Sequence, residues 1–175
     1  MAVLIEALSV VIRCEVIVKK LSGGVDAFMA TVPNKTLCSD GELACISFMV
    51  PADVQAYVEF LTSKGLVFKE SDKAVDIVVV DQQKGMTILC DWVNFGKTDW
   101  DNNPAQSVSV CCAKPTKLNN VVVPVGWSYE KSLSANYKYF DSKQVPENLK
   151  PVRSEGGVDV LLDEKTGQKF YVRRG

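Results

Sequence analysis

The sequence predicts an α+β fold, in which a mostly antiparallel sheet carries two helices on one face and a β-rich C-terminal half follows. Two segments place apolar residues at helical spacing, and β-branched runs typical of strands lie around and after them. The hydrophobic fraction of 47% and the net charge of -1 are typical of a chain that folds around a core. The length of 175 residues predicts a single domain, 1–175, with a candidate subdivision into an α+β half (1–101) and a β-rich half (105–175).

The N-terminal part is predicted to contain a strand and a short helix. Leu8–Arg13 is rich in β-branched residues, which favour a strand, whereas Cys14–Leu21 mixes β-branched and charged residues and is ambiguous. Gly23 and Gly24 then interrupt the chain, and Pro33 ends the helix that follows. The apolar face of this helix is predicted at Val25, Phe28, Met29 and Val32.

A hairpin and the clearest helix come next. The dipeptide Asp40-Gly41 lies between two apolar runs and predicts a tight turn, because both residue types tolerate positive φ. Pro51 suits the first turn of a helix, and Gly65 is the expected end of that helix. The apolar stripe of this helix is predicted at Val54, Tyr57, Val58 and Leu61.

The rest of the chain is predicted to consist mainly of strands. Ala74–Val80 is nearly all apolar, as expected for a strand buried on both faces, and Asp81–Gly85 turns the chain toward a partner strand at Met86–Val93. A loop is predicted at Asn102–Pro104 and a polar connection at Lys143–Pro151. Further strands are predicted at Ser107–Ala113, Val121–Val125, Gly157–Leu162 and Lys169–Arg173.

The absence of histidine is the most informative feature for function. It excludes Ser-His-Asp and Cys-His nucleophilic sites and His-ligated metal ions. The sequence also lacks the GxxxxGK[ST] and GxGxxG phosphate loops, so we expect no catalytic residue, no metal and no cofactor. The small net charge argues against nucleic acid and an anionic membrane as partners. Because no basic, apolar export signal and no long apolar run is present, a soluble, cytoplasmic protein is expected.

The six cysteines are expected to be reduced thiols. Four of them lie inside apolar segments, where a reduced cysteine is a small buried hydrophobe, and no CxxC pair indicates a zinc site. The adjacent Cys111 and Cys112 are a candidate redox or thiophilic-metal site. Neighbours in a strand point to opposite faces, which favours a purely structural role for this pair.

One segment has a motif pattern of its own. A strand at Ile46–Val50 leads into a helix at Asp53–Leu61, a glycine-bounded exit follows, and Asp81–Gly85 closes a hairpin. In this order, residues 44–93 resemble a βαβββ module of the vicinal oxygen chelate (glyoxalase-like) superfamily. The resemblance implies a metal-binding Glu where this chain has Leu89, and histidines that it lacks. It therefore implies a glyoxalase-like fold without the metal site, or an analogous ferredoxin-like topology.

Carboxylates and aromatic residues supply the candidate site. Asp81 and Asp91 flank the predicted hairpin, where they could meet a divalent cation or act as an acid/base pair, or simply solvate the turn. Cys90 and Trp92 would share one face of the predicted strand. Aromatic residues beside charges are typical of ligand pockets and partner hot spots, and they also close the edges of cores. The candidate ligand-binding residues are Arg13, Asp81, Cys90, Asp91, Trp92, Trp127 and Tyr129.

These features predict a non-catalytic binding module for an unidentified small molecule or a protein partner. One alternative is an enzyme of the glyoxalase-like fold that uses carboxylate or thiolate chemistry, with Asp81, Asp91 and Cys90 as the residues to test. Another is a homo-oligomeric structural component, such as a homodimer, assembled through a strand edge at Lys169–Arg173.

Overall fold

The chain divides after Trp127 into two units, residues 1–127 and residues 128–175. A computed structural model describes residues 1–114, 120–136, 149–155, 158–164, 167 and 169–173. The strands are β1 (Ala2–Ile5), β2 (Leu8–Arg13), β3 (Cys38–Ser39), β4 (Leu43–Phe48), β5 (Lys69–Glu70), β6 (Lys73–Ala74), β7 (Ile77–Asp81), β8 (Gly85–Met86), β9 (Val93–Trp100), β10 (Asn103–Ala113), β11 (Val121–Val122), β12 (Leu149–Glu155), β13 (Val158–Asp163) and β14 (Lys169–Arg173). The helices are α1 (Cys14–Lys20), α2 (Gly24–Thr31), α3 (Pro51–Ser63) and α4 (Leu133–Asn136).

β2 is the middle strand of a five-stranded antiparallel sheet with the order β3-β4-β2-β7-β8. Its register places Val10 between Ile46 of β4 and Val79 of β7. Every residue of β2 except Arg13 is buried, and so is every residue of β4 and β7. Because these strands are buried on both faces, the sheet needs a covering layer on each side.

Three helices of the first unit cover one face of this sheet. Side chains on that face, such as Ile12 and Ile46, form one apolar cluster with Ile17 of α1, Phe28 of α2 and Leu61 of α3. Such an arrangement of helices on one side of an antiparallel sheet defines an α+β fold. Over the part of the chain that the structure describes, no helix combines the length and the apolarity that a membrane crossing requires.

A second sheet, with the order β11-β1-β10-β9, covers the opposite face. β1 pairs antiparallel with β10 and parallel with β11. The Cys45 thiol of β4 donates a hydrogen bond to the Leu4 carbonyl oxygen of β1 at 3.3 Å, and the Ser109 hydroxyl of β10 donates to the Gln82 carbonyl oxygen. The first unit therefore has three layers, namely helices, the five-stranded sheet and the four-stranded sheet.

The chain passes from one sheet to the other between β1 and β2. Ala7 has a φ of 48° there, in the left-handed region that a non-glycine residue occupies at a cost of about 1–3 kcal/mol. Gln82 holds this conformation from two directions. Its Oε1 accepts a hydrogen bond from the Ala7 N–H at 2.8 Å, and its own N–H donates to the Ala7 carbonyl oxygen at 2.9 Å.

The described residues of the second unit form a 3₁₀ turn (Tyr129–Lys131), α4 and an antiparallel sheet with the order β12-β13-β14. The β12 strand is irregular between Pro151 and Arg153. Gly167 has a φ of 72°, and its N–H donates to the Asp163 carbonyl oxygen at 2.8 Å. This contact closes the turn between β13 and β14.

Several predicted elements are confirmed. The strands predicted at Leu8–Arg13 and Lys169–Arg173 coincide with β2 and β14. The α3 helix begins at Pro51, and all four residues of its predicted apolar stripe are buried. The hairpin around Asp40 and Gly41 is formed by β3 and β4.

The boundary between the two units, after Trp127, differs from the candidate subdivision predicted from the sequence. The single domain over 1–175 stays a prediction, and the candidate subdivision between residues 101 and 105 falls at the tip of the β9–β10 hairpin, inside the first unit.

Asp101 and Asn102 have φ values of 54° and 55°, which suits a tight hairpin turn. The loop predicted at Asn102–Pro104 is therefore confirmed only at Asn102, because Asn103 already begins β10. Pro104 is accommodated where the β9–β10 register shifts between Asn103 and Ser107.

The strand predicted at Met86–Val93 is also wrong. Only Gly85–Met86, the short β8, pairs with β7. Thr87 makes the last contact with β7, since its N–H and its hydroxyl both donate to the Val79 carbonyl oxygen, at 3.0 and 2.8 Å. The chain then runs without regular structure for most of the distance to β9.

The helices differ from the prediction in two respects. The ambiguous segment Cys14–Leu21 is largely α1, so three helices rather than two lie on the sheet. The apolar face predicted for α2 is wrong, since Phe28 is buried whereas Val25 and Met29 are 54% and 52% exposed. α2 packs beside α1 and reaches the core mainly through Phe28.

Four strands, β1, β5, β9 and β12, are not predicted by the sequence. Leu149–Pro151, predicted as part of a polar connection, begins β12, and residues 143–148 of that connection lie outside the described residues. The strand predicted at Val121–Val125 is reduced to β11, which has two residues.

Leu61→Ala tests the helix-facing core. Leu61 is fully buried in the cluster that joins α3 to the sheet, so truncation should leave a cavity and lower the free energy of unfolding by about 2–5 kcal/mol. Urea titration followed by circular dichroism measures the change. Glu59→Ala, an exposed position of the same helix, should change the value by less than about 0.5 kcal/mol. Equal losses in both variants would contradict the assigned core.

Candidate functional site

A cleft of about 290 Å³ lies at one end of the central sheet of the first unit. The β2–α1 junction, the β3–β4 hairpin, the segment before β9 and the end of β10 meet there. This volume is just below the range of about 300–1,000 Å³ that is common for small-molecule sites, so only a small ligand would fit. The lining residues are Arg13, Glu15, Gly41, Glu42, Leu43, Trp92, Ala113 and Lys114.

Arg13, a predicted site residue, is the last residue of β2 and directly precedes α1. Its backbone N–H donates to the Asp76 carbonyl oxygen at 3.1 Å. The guanidinium donates to the Val75 carbonyl oxygen at 3.5 Å and forms an ion pair with Glu15. Its Cζ also lies 5.5 Å from the ring centroid of Trp92, within the range of a cation–π contact. Together these contacts hold the guanidinium in one orientation beside the cleft.

Trp92, the second predicted residue at the cleft, is its aromatic wall. The indole Nε1–H donates to the Ala74 carbonyl oxygen at 3.1 Å, which fixes the ring. The Trp92 carbonyl oxygen accepts a hydrogen bond from the Lys114 N–H at 3.1 Å. This bond places the Lys114 side chain in the same cleft as the indole.

The tip of the β3–β4 hairpin is another wall of the cleft. The Asp40 Oδ1 accepts hydrogen bonds from the backbone N–H groups of Glu42 and Leu43, each at 2.9 Å. Gly41 has a φ of 92°, a conformation that favours glycine. The Glu42 carbonyl oxygen accepts from the Cys14 N–H at 2.9 Å, which ties the hairpin to the start of α1. Hydrogen bonds within the hairpin and to the start of α1 therefore hold the hairpin tip in place.

The buried carboxylate of Asp76 stabilises the backbone that holds Arg13. Its Oδ2 accepts from the Lys20 ammonium at 2.6 Å and from the Val67 N–H at 2.8 Å, and its side chain is 3% exposed. The Asp76 carbonyl oxygen accepts a hydrogen bond from the Arg13 N–H. The residue that carries the buried carboxylate therefore also holds the backbone of a residue that lines the cleft. Asp76 is thus a positioning residue, which no sequence pattern distinguishes from the neighbouring acidic residues.

The cleft carries charges of both signs around one aromatic ring. Arg13 and Lys114 contribute cations, and Glu15 and Glu42 contribute carboxylates. Concave sites that combine an aromatic wall with a few convergent polar groups are typical of ligand pockets. The arrangement can therefore bind a small polar molecule through its charged groups.

Three other predicted site residues do not line this cleft. Asp81 is buried, and its Oδ1 accepts two backbone N–H groups of the turn that follows β7, at 2.8 and 3.1 Å. Cys90 is buried as well, and burial raises the pKa of its thiol. Asp91 is exposed and forms an ion pair with Lys73, whose hydrogen bond lowers the pKa of the Asp91 carboxyl.

The last two predicted residues, Trp127 and Tyr129, belong to different units. Trp127 packs edge-to-face against Trp100 at a centroid distance of 4.8 Å, and its Nε1–H donates to the Glu6 carboxylate at 2.8 Å. Trp127 therefore stabilises the segment in which the chain passes from one sheet to the other, and it does not line the cleft. Tyr129 lies in the 3₁₀ turn of the second unit, where burial raises the pKa of its hydroxyl.

A second, more apolar cleft of about 480 Å³ lies between the end of α2 and α3, and sequence reasoning did not identify it. Tyr57 lies 5.6 Å from Phe48 and 6.4 Å from Phe60, measured between ring centroids. The Tyr57 hydroxyl is within 3.3 Å of the Thr31 hydroxyl. The aromatic residues of this cleft lie in the helix-facing core or at the edge of that core. Their sequence pattern therefore indicates core packing and gives no sign of a cleft. The lining residues are Thr31, Pro33, Asn34, Phe48, Asp53, Ala56, Tyr57 and Phe60.

No family model matches the chain, and no curated protein and no solved structure is similar to it. A ligand for the cleft that Arg13 and Trp92 line, the Arg13–Trp92 cleft, can therefore be inferred only from the chemistry of the lining residues.

Asp76→Ala tests the buried carboxylate as a support of the cleft. The substitution leaves the Val67 N–H without its acceptor and the Lys20 ammonium without its partner, so we expect a loss of about 2–3 kcal/mol in the free energy of unfolding. Asp99→Ala is the matched control, because Asp99 is an exposed carboxylate on β9. Urea titrations that give the same small loss for both variants would contradict the role of Asp76.

Cysteine alkylation tests the burial of Cys90. Burial raises the pKa of both Cys14 and Cys90, so the reactive thiolate of each is scarce near neutral pH and increases as pH rises. Iodoacetamide should label the half-buried Cys14 before Cys90 in the native protein, and both rates should rise between pH 7 and pH 9.5. Tryptic mapping separates the two sites. Labelling of Cys90 at pH 7 as fast as that of Cys14 would show that Cys90 is accessible.

Proposed function

We propose that this protein is a non-catalytic binding module whose Arg13–Trp92 cleft takes a small amphoteric molecule, one that carries both an anionic and a cationic group. The observation that carries the proposal is the convergence of two cations and two carboxylates around one indole in about 290 Å³. A carboxylate or phosphate of the ligand would pair with Lys114. A ligand ammonium would lie against Glu42, and the apolar part of the ligand would contact the Trp92 ring.

The fixed geometry of the cleft supports binding by preorganisation. Hydrogen bonds that involve the backbone hold Arg13, Trp92 and the main chain of the hairpin tip, so these parts of the cleft need little reordering when a ligand enters. The volume lies just below the common range of small-molecule sites, which favours a ligand of amino-acid size.

The other candidate functions have weaker support. The carboxylate or thiolate enzyme would use Asp81, Asp91 and Cys90, which are outside the cleft lining and make the structural contacts described above. The homo-oligomer would use β14, which is an outer strand of the described three-stranded sheet. The glyoxalase-like relationship stays a prediction.

The six free thiols favour a reducing compartment, which supports the cytoplasm as the proposed location.

A thermal-shift panel tests the proposed ligand class. The panel contains amino acids and ω-amino acids of increasing length, together with dicarboxylates and diamines of matched length. A ligand that binds only the folded state raises Tm, so we expect a shift with amphoteric members and none with molecules of a single charge sign. The absence of any shift with the amphoteric members, or equal shifts across the panel, would contradict the proposal.

Two pairs of variants locate the binding. Lys114→Gln should weaken the affinity of the best panel member about threefold to fivefold, because a half-exposed ion pair contributes about 1 kcal/mol or less, whereas Lys97→Gln on the neighbouring strand should leave it unchanged. Trp92→Phe should also weaken binding, whereas Trp100→Phe, which is outside the cleft, should not. Isothermal titration calorimetry measures both pairs. An unchanged affinity in Lys114→Gln and Trp92→Phe would place the ligand elsewhere.

A further inference from the structure

Two cysteines face each other across the β3–β4 hairpin. The antiparallel register pairs Cys38 of β3 directly with Cys45 of β4. Their residues are 5% and 1% exposed, and both thiols are free. The hydrogen bond between these two thiols, followed by burial, raises the pKa of Cys45 well above its ordinary value.

The strand register brings this pair within the geometry of a disulfide. Directly opposed residues of antiparallel strands have Cα atoms about 4.5–5.5 Å apart, and disulfides span about 4.4–6.8 Å between Cα atoms. Directly opposed residues of two paired strands point their side chains to the same face of the sheet, so Cys38 and Cys45 share one face. Because the Cβ atoms of directly opposed residues lie about 4.5–5.5 Å apart and those of a disulfide about 3.5–4.5 Å, closing an S–S bond at Cys38 and Cys45 requires β3 to move toward β4 by about 1 Å.

We infer that Cys38 and Cys45 are an oxidative modification site, at which a low-molecular-weight disulfide such as oxidised glutathione converts the two thiols into a cross-strand disulfide. The Cys38 thiolate attacks one sulfur of the small disulfide and releases the first thiolate of the reagent. The Cys45 thiolate then attacks the Cys38 sulfur of the mixed disulfide and releases the second. Two protein thiols are oxidised, one S–S bond forms in the protein, and one reagent disulfide is reduced to two thiols.

The position of β3 provides access to the buried pair. β3 is an outer strand of its sheet, has two residues and pairs with β4 alone. Local opening of so short an edge strand requires far less free energy than global unfolding, and it exposes Cys38 before Cys45. Because the thiolate is the reacting form, the raised pKa of Cys45 predicts that the disulfide forms faster as pH rises.

The register singles out Cys38 among the possible partners of Cys45. Cys111 is also close enough to influence the pKa of Cys45, but it lies on β10 in the neighbouring sheet, so the two residues are not paired across one ladder. Cys111 and Cys112 are consecutive in β10, where side chains alternate between faces. The inference holds whether or not the Arg13–Trp92 cleft binds the proposed ligand.

Tryptic mapping of the intact protein gives a direct test. Trypsin places Cys38 and Cys45 together in residues 36–64, whereas Cys14, Cys90 and the pair Cys111 and Cys112 fall in three other peptides. The native protein is incubated with oxidised glutathione at pH 8, free thiols are alkylated after denaturation, and the digest is analysed by mass spectrometry. We expect peptide 36–64 without alkyl groups and about 2 Da lighter than its dithiol form, and expect dithiothreitol to reverse the change.

Two variants make the assignment specific. Cys38→Ser should abolish the internal disulfide of peptide 36–64, whereas Cys14→Ser, which removes a half-buried thiol 3.5 Å from the Ser39 hydroxyl, should retain it. The wild-type disulfide should also raise Tm relative to the reduced protein, because it constrains the unfolded chain. Full alkylation of both cysteines after the incubation, or a link between peptide 36–64 and the peptide that contains Cys111, would overturn the inference.

Discussion

The burial of β2 on both faces is the constraint on which the rest of the first unit depends. Val10 and Ile12 contact the helices, whereas Val11 lies on the face toward the four-stranded sheet. Ser9, the one polar residue among the first five of β2, is satisfied locally, because its hydroxyl donates to the Glu6 carbonyl oxygen and contacts the Ser47 hydroxyl at 3.0 Å. A strand with two apolar faces has to lie between two layers, and the chain supplies helices for one and a second sheet for the other.

The same constraint determines where the cleft lies. Arg13 is the first residue of β2 that is not buried, so its charged side chain emerges where the layers end. The tip of the β3–β4 hairpin and the end of β10 arrive at the same edge, with Glu42 and Lys114 as their charged residues. Charged side chains converge at this point because the apolar interior ends there. The carboxylates of Asp40 and Asp76 accept hydrogen bonds from backbone N–H groups, which stabilises the chain segments next to the cleft.

Sequence reasoning succeeds where one physical signal dominates and fails where pairing with a distant strand decides the structure. α3 has a start signal, an apolar stripe and an end signal, and all three agree with the structure. β9 mixes polar and apolar residues, and it is a strand because β10 pairs with it over most of its length. Arg13 and Trp92 were predicted as site residues, but their contact depends on an irregular segment before β9 that was predicted to be a strand. Lys114, Glu42 and Asp76 carry no local signal and are identified only by the fold.

The β3–β4 hairpin connects the two proposals physically. Its tip, at Gly41–Leu43, lines the cleft, and its base contains the opposed Cys38 and Cys45. In the thiol form, β3 is held by few backbone hydrogen bonds at the outer edge of the sheet, so opening of the hairpin also loosens the wall that carries Glu42. A disulfide at the base would close a short loop around the tip and remove most of that opening. The cleft would then keep its wall in place, and oxidation of the pair would favour the preorganised form of the site over the open one.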